Sequence, residues 1–269
     1  MKKILLFIAL SCFIAINVQA QQEGLYLGAG FGYGFRAGGT VIGSNDYYDG
    51  SSKVVKGSMG KGGIPNVTVG YLITPSAGVE LAVGGLVGTR TGTLDVDGGG
   101  RGNSNFRANS FYLNPSFVIR ASSVNTLVPY AKVGMFLGLV NHGVEETNSY
   151  NINGAGDVTQ KSTNKFEYKG GIATGLTSAL GLDIMLSSKF AIFGELIGRL
   201  ASWAPNTYTS TTNTTPYVGG NAQATQTSSV SGNFVKETPA NYTGTNTPER
   251  VLPFSAIGFN VGVKLYLNQ

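Results

Sequence analysis

The 269-residue sequence predicts an all-β fold: a transmembrane antiparallel up-and-down β-barrel of eight strands, with short turns at one end and long loops at the other. Three observations point there. Eight segments alternate apolar with polar or small residues at period two, the pattern of a strand with two unlike faces. The connections between them alternate short and long. The last segment repeats the pattern of the first, as neighbours across a closed sheet do. Closure matters because lipid offers no partner to a backbone N–H or C=O, so strands cross a bilayer only as a barrel without a free edge.

Residues 1–20 read as a cleaved signal peptide: Met1-Lys2-Lys3 gives a positive start, residues 4–18 an apolar run, and Val18-Gln19-Ala20 compact residues before Gln21. The run falls short of the roughly twenty residues a spanning helix needs, and no other segment approaches it, which excludes a helical membrane protein. Cys12 is the only cysteine and lies in this segment, so residues 21–269, expected to form one barrel domain, hold no disulfide, thiol nucleophile or thiolate metal site. The apolar run continues through Phe13 and Ile14, which argues against lipidation at Cys12.

Residues 25–35 set Leu25, Leu27, Ala29, Phe31, Tyr33 and Phe35 outward, with Tyr26 and four glycines inward where a narrow lumen needs room. Residues 66–73 put Val67, Val69, Tyr71 and Ile73 outward against Asn66, Thr68 and Gly70. Residues 79–88 set Val79, Leu81, Val83 and Val87 against Glu80, Ala82 and Gly84. Residues 109–120 carry Phe111, Leu113, Phe117 and Ile119 outward and Tyr112, Asn114 and Ser116 inward. Pro115 in that segment has no N–H, which predicts a bulge or a local gap in pairing. Residues 128–139 turn Ala131, Val133, Met135, Leu137 and Leu139 outward, with Tyr130, Lys132, Gly134 and Phe136 inward. Residues 168–185 alternate Ile172, Leu176, Leu180, Leu182 and Ile184 with Ala173, Gly175, Thr177, Gly181 and Asp183. Residues 189–200 give Phe190, Ile192, Leu196 and Leu200 outward, with Glu195 and Arg199 inward. The closing segment, 254–267, shows Ile257, Phe259, Val261, Val263, Leu265 and Leu267 on one face and Gly258, Asn260, Gly262, Lys264 and Tyr266 on the other.

Short connections at 74–78, 121–127 and 187–188 alternate with long ones at 36–65, 89–108, 140–167 and 201–251. Outer-membrane barrels have this asymmetry, turns facing the periplasm and loops facing outside. A soluble eight-stranded barrel is apolar within and polar without; here the outward set is the apolar one. The expected location is therefore the cell outer membrane, in contact with its lipid and lipopolysaccharide. The 40 glycines, 14 Phe and 13 Tyr suit such a wall. The formal charge of +5 owes two units to Lys2 and Lys3 and is scattered, so no nucleic-acid partner is expected.

With these segments the chain resembles the small eight-stranded outer-membrane barrels of the OmpA, OmpX and OmpW type over essentially the whole mature length. In that family the closing strand carries a polar residue, a glycine two later, then hydrophobic residues three and five after the glycine, read by the barrel-assembly machinery. Asn260, Gly262, Leu265 and Leu267 match that spacing, so the resemblance implies an assembly signal there and the assembly machinery as a partner. A glutamine directly after the cleavage site, as at Gln21, is similar to exported proteins of Bacteroidota.

Inward parity collects Glu80, Lys132, Asp183, Glu195, Arg199 and Lys264. An eight-stranded barrel is only wide enough for side chains to fill, so these six are expected to pair with one another as a structural plug, joined by Asn260. The alternative is a narrow ion path lined by them. Catalysis has one histidine to work with, His142, near Glu145 and Glu146; the nearest serines, Ser123 and Ser149, lie off its strand spacing, and no catalytic residue is expected. Asp95 and Asp97 before Gly98-Gly99-Gly100 give too few oxygens for calcium, and the glycines at 28, 30, 32 and 34 precede no helix, so neither metal nor cofactor is expected. The loop 204–250 is rich in Thr, Ser, Asn and Gly and reads either as a mobile brush or as hairpins continuing the barrel strands. Tyr208, Tyr217, Phe234 and Tyr242 are its candidate contacts for a surface ligand. Three functions follow in order: a non-enzymatic barrel displaying adhesive or protective loops, a small-solute or ion channel, and a lipid-modifying enzyme of the outer membrane.

Overall fold

A period-two chain that buries its polar side chains inward can satisfy its backbone only by pairing its first strand with its last. The computed structural model describes residues 23–37, 41–46, 52–93, 100–121, 126–153, 155, 157–236 and 246–267; the segment 1–20 and the pair Asp95 and Asp97 lie outside them. Eight strands build the wall: β1 (Gly24–Arg36), β2 (Gly62–Thr74), β3 (Ala77–Gly88), β4 (Gly100–Arg120), β5 (Leu127–Ile152), β6 (Ile172–Met185), β7 (Phe190–Trp203) and β8 (Ala256–Tyr266). Each pairs antiparallel with the next, and β8 pairs with β1 from Tyr26↔Tyr266 to Arg36↔Ala256. The sheet is closed.

The wall has the predicted faces. Phe31, Val67, Val87, Phe111, Val133, Leu176, Leu196 and Val261, one from each strand, are all exposed on the outside, Leu196 at 69%. Inside, several glycines sit opposite aromatic rings. Tyr26 lies across Gly70, Tyr130 across Gly181 and Tyr112 across Gly84 in the ladder, and a Cβ on any of these glycines would strike the facing ring. The inward glycines thus clear space for particular rings.

Several boundaries differ from the sequence expectation. β4 and β5 run on to 21 and 26 residues, well beyond the span of a bilayer, because the chain keeps pairing once past the apolar band. Pro115 leaves a gap without a shift: pairing to β5 skips from Leu113↔Leu137 to Ser116↔Gly134 in unchanged register. The bulge lies higher, where Asn109↔His142 is followed by Ser110↔Val140 and Asn141 is left over.

The expected strand 168–185 is broken at Gly170 and Gly171, whose φ of 74° and 77° no side chain-bearing residue adopts readily. Gly143↔Tyr168 above and Leu139↔Ile172 below nevertheless hold one register, so strand Val158–Lys169 continues β6 outward. Likewise Thr207↔Lys169 and Ala173↔Trp203 share a register, so strand Thr207–Val218 continues β7. It turns at Gly219–Gly220 and pairs with Gln226–Val235. Of the two readings of 204–250, the described residues adopt the hairpin.

Candidate functional site in the lumen and the outer extension

The inward residues stack in layers from the turn end upward. Lowest, Asp183 on β6 takes Lys264 Nζ from β8 at 2.8 Å and the Tyr266 hydroxyl at 2.9 Å, with Arg120 from β4 at 3.6 Å. Above it, Lys132 on β5 lies between Glu80 on β3 at 2.5 Å and Glu195 on β7 at 2.6 Å. Each carboxylate is further satisfied: the Tyr26 hydroxyl donates to Glu80 and the Tyr130 hydroxyl to Glu195, both at 2.8 Å, and Asn260 donates to Glu195 at 3.1 Å. Asn66 in turn donates to Asn260 at 3.1 Å. A buried carboxylate is tolerated when its lone pairs are filled, and here neighbouring strands fill them.

Five of the six charges expected to pair, Glu80, Lys132, Asp183, Glu195 and Lys264, are in ion pairs. Arg199 departs from the expectation. Its guanidinium lies 4.1 Å from the Phe136 ring centre and 5.5 Å from that of Tyr112, and among the described residues no carboxylate forms an ion pair with it. The sequence reading missed Arg120, which has inward parity at the end of its strand, and the phenols of Tyr26, Tyr130 and Tyr266. Assembly-signal positions divide by face: Asn260 is in the lumen network, Gly262 receives the edge of the Phe193 ring, and Leu265 faces outward.

Above Arg199 the lumen is filled with apolar side chains. Phe136, Phe254, Tyr168 and Trp203 are wholly buried, with Ile64, Leu86, Phe106, Val140, Leu252 and Met59 around them. Phe136 stacks on Phe254 at 5.9 Å, and the Trp203 indole donates at 2.9 Å to the Gly170 carbonyl at the strand break. Alternation set Phe136 and Tyr112 inward but did not reveal the cap as a whole, since Met59 and Leu252 come from connections and Phe254 lies just ahead of β8.

Over the cap, the extension forms an open pocket of about 380 Å³ lined by Phe166, Tyr168, Tyr208, Phe234 and the segment 247–250. Phe166 and Tyr168 stack at 6.2 Å, and Tyr208 and Phe234 lie 5.2 Å apart. Two of the predicted contacts, Tyr208 and Phe234, thus meet; Tyr217 sits away near the hairpin tip, and Tyr242 is outside the described residues. Arg250 pairs with Glu145 at 3.0 Å and bonds the Tyr168 hydroxyl, which also donates to Glu145 at 2.7 Å. Burial, seconded by the Glu145 charge, pushes the Tyr168 hydroxyl up, so it stays a neutral donor. His142 stands 4.0 Å from Glu167 with no serine bonded to it among the described residues. Lys165 bonds Glu167 at 2.5 Å and, as its main influence, holds that carboxyl below its ordinary value. No group of three or more His, Cys, Asp or Glu side chains able to hold a metal occurs among the described residues.

A closed eight-stranded sheet, apolar on its outer face and holding layers of paired charges in its lumen, defines a membrane-spanning β-barrel of the outer-membrane kind, and the outer membrane is its location. No protein-family model matches the chain, and no curated protein sequence matches it. Solved structures with a similar course include three outer-membrane proteins. The crystal structure of OprG from Pseudomonas aeruginosa has 14% identity and a TM-score of 0.37, covering 94% of this chain and 100% of that one. The solution structure of the E. coli outer membrane protein W has 12% identity and a TM-score of 0.40, covering 93% and 100%. The crystal structure of Acinetobacter baumannii CarO has 15% identity and a TM-score of 0.32, covering 93% and 100%.

Proposed function

We propose that the protein is a non-enzymatic outer-membrane barrel whose sealed wall carries a binding surface outside the cell. The observation that carries this reading is the apolar cap: Phe136, Phe254, Tyr168 and Trp203 fill the lumen above a layer of paired charges. A solute moving through the barrel would have to displace both layers, whereas the aromatic pocket of the extension is open to the outside and falls in the size range of ligand pockets. The rigid barrel then serves as a mount for Tyr208, Phe234 and the hairpin that carries them.

The test has two arms. The purified barrel in a planar bilayer gives no steady conductance, while cells displaying it adhere to host-matrix or partner-cell surfaces and lose adhesion when residues 207–235 are replaced by a short Gly/Ser turn. The barrel's heat-modifiable migration persists in that variant. Steady conductance altered by Glu195→Gln would establish the small-solute channel instead, and unchanged adhesion would remove the hairpin from the function. A lipid-modifying role predicts that His142→Ala changes lipid A composition; the surface reading expects no change.

A further inference from the structure

Among the described residues, the charges inside the barrel do not cancel. Arg120, Lys132 and Lys264 stand against Glu80, Asp183 and Glu195, and all six belong to the two ion-paired layers. Arg199 is left over. It is 6% exposed, and its Nε and one terminal nitrogen have no hydrogen-bond acceptor. The rings of Phe136 and Tyr112 attend to the flat faces of the guanidinium and leave its N–H edge unsatisfied. Arginine cannot shed its proton to escape burial, so the residue calls for an anion.

Space and donors for one lie beside it. Arg199 lines a cavity of about 60 Å³ that reaches from the paired charges Glu80, Lys132, Glu195 and Lys264 up to the guanidinium, large enough for a small ion with a few waters. Across the ladder from Arg199 is Thr177, whose hydroxyl donates to Asn114 Oδ1 at 2.9 Å; Ser116 donates to the same oxygen at 3.1 Å. With its carbonyl oxygen thus occupied, Asn114 keeps its NH₂ group as the donor available to the cavity. Tyr112, also in the lining, has a hydroxyl with no protein partner among the described residues. Guanidinium, amide and phenol are an anion's ligand set.

We propose that Arg199, Asn114 and Tyr112 form an internal site for one small monovalent inorganic anion of halide size. The anion supplies the negative charge that the lumen lacks and is enclosed as the barrel closes around it. A divalent or bulky anion does not fit the cavity or its charge of one.

The experiment refolds the full barrel from denaturant into detergent micelles in sodium chloride or in sodium gluconate of equal ionic strength, following the fluorescence of the single tryptophan, Trp203. Chloride raises the folded-to-unfolded ratio saturably, by about tenfold when it stands about ten times above its Kd, and gluconate does not. Arg199→Met removes the chloride response and leaves the variant as stable in gluconate as in chloride. An equal chloride response in Arg199→Met, or none in the wild type, overturns the site. Should Arg199→Met fail to fold, wild-type crystals grown from barrel refolded in bromide decide: an anomalous peak beside the guanidinium supports the site, and its absence there overturns it.

Discussion

A lysine held between two carboxylates, as Lys132 is between Glu80 and Glu195, attracts both and keeps them from repelling each other. Removing it leaves two buried acids facing each other. Lys132→Met is therefore expected to cost about 3–5 kcal/mol, the range for breaking a buried ion pair on one side. Denaturant unfolding read through Trp203 measures it, and adding Glu195→Gln recovers part of the loss by removing one of the stranded charges. A Lys132→Met barrel as stable as the wild type would mean that Lys132 does not hold this layer. Which residues face this interior was legible in the sequence, because period two fixes parity. Their partners were not, because parity says nothing of height. At roughly 3.3 Å of rise per residue, Arg199 sits roughly 13 Å further along the strand from Glu195, outward of the layer it was expected to join. Arg120 shows the converse: its parity was inward, and only its place at the end of a segment kept it from view.

At the scale of elements, alternation defines a strand only where its two faces meet unlike surroundings. In 109–120 and 128–139 lipid lies on one side and lumen on the other, and the pattern was readable; from 141 to 152 β5 lies beyond the apolar band, its residues mix, and the strand continues unseen in the sequence. The hairpin of 207–235 is the same case, with Thr and Ser on both faces and ladder contacts such as Thr209 with Ser231 at 3.0 Å in place of apolar packing. What joins this extension to the wall is the break at Gly170 and Gly171. A Cβ on Gly171 would strike the Ala204 carbonyl, and its φ of 77° disfavours any L side chain. Gly171→Ala is expected to cost about 1–2 kcal/mol from the left-handed backbone alone, borne by the junction. Limited trypsin digestion should show faster cutting at Lys165 and Lys169, with heat-modifiable migration of the barrel retained. Unchanged digestion would show that the extension does not depend on this kink.

For the whole molecule, everything rests on closure. An open eight-stranded sheet would present β1 and β8 as bare edges in lipid, where each unsatisfied backbone group costs several kcal/mol. Closure is also what gives the lumen a defined interior, since Tyr26 on β1 meets Tyr266 and Lys264 on β8 only because the first strand and the last are neighbours. It is testable through outward positions, whose substitution leaves the lumen untouched. Leu27 is opposite Val69 on β2 and opposite Leu265 on β8, and paired Cα atoms in an antiparallel ladder lie about 4.5–5.5 Å apart, within reach of a disulfide. Leu27→Cys with Val69→Cys should cross-link on oxidation whether or not the sheet is closed. Leu27→Cys with Leu265→Cys should cross-link only in a closed barrel, giving a ring that runs faster than the linear chain on a heated non-reducing gel and returns to it on reduction. The cross-link joins nearly the whole chain into one loop and should raise stability by on the order of 5 kcal/mol. If the first pair bridges and the second does not, β1 and β8 are not neighbours, and the layered lumen built across their seam does not form.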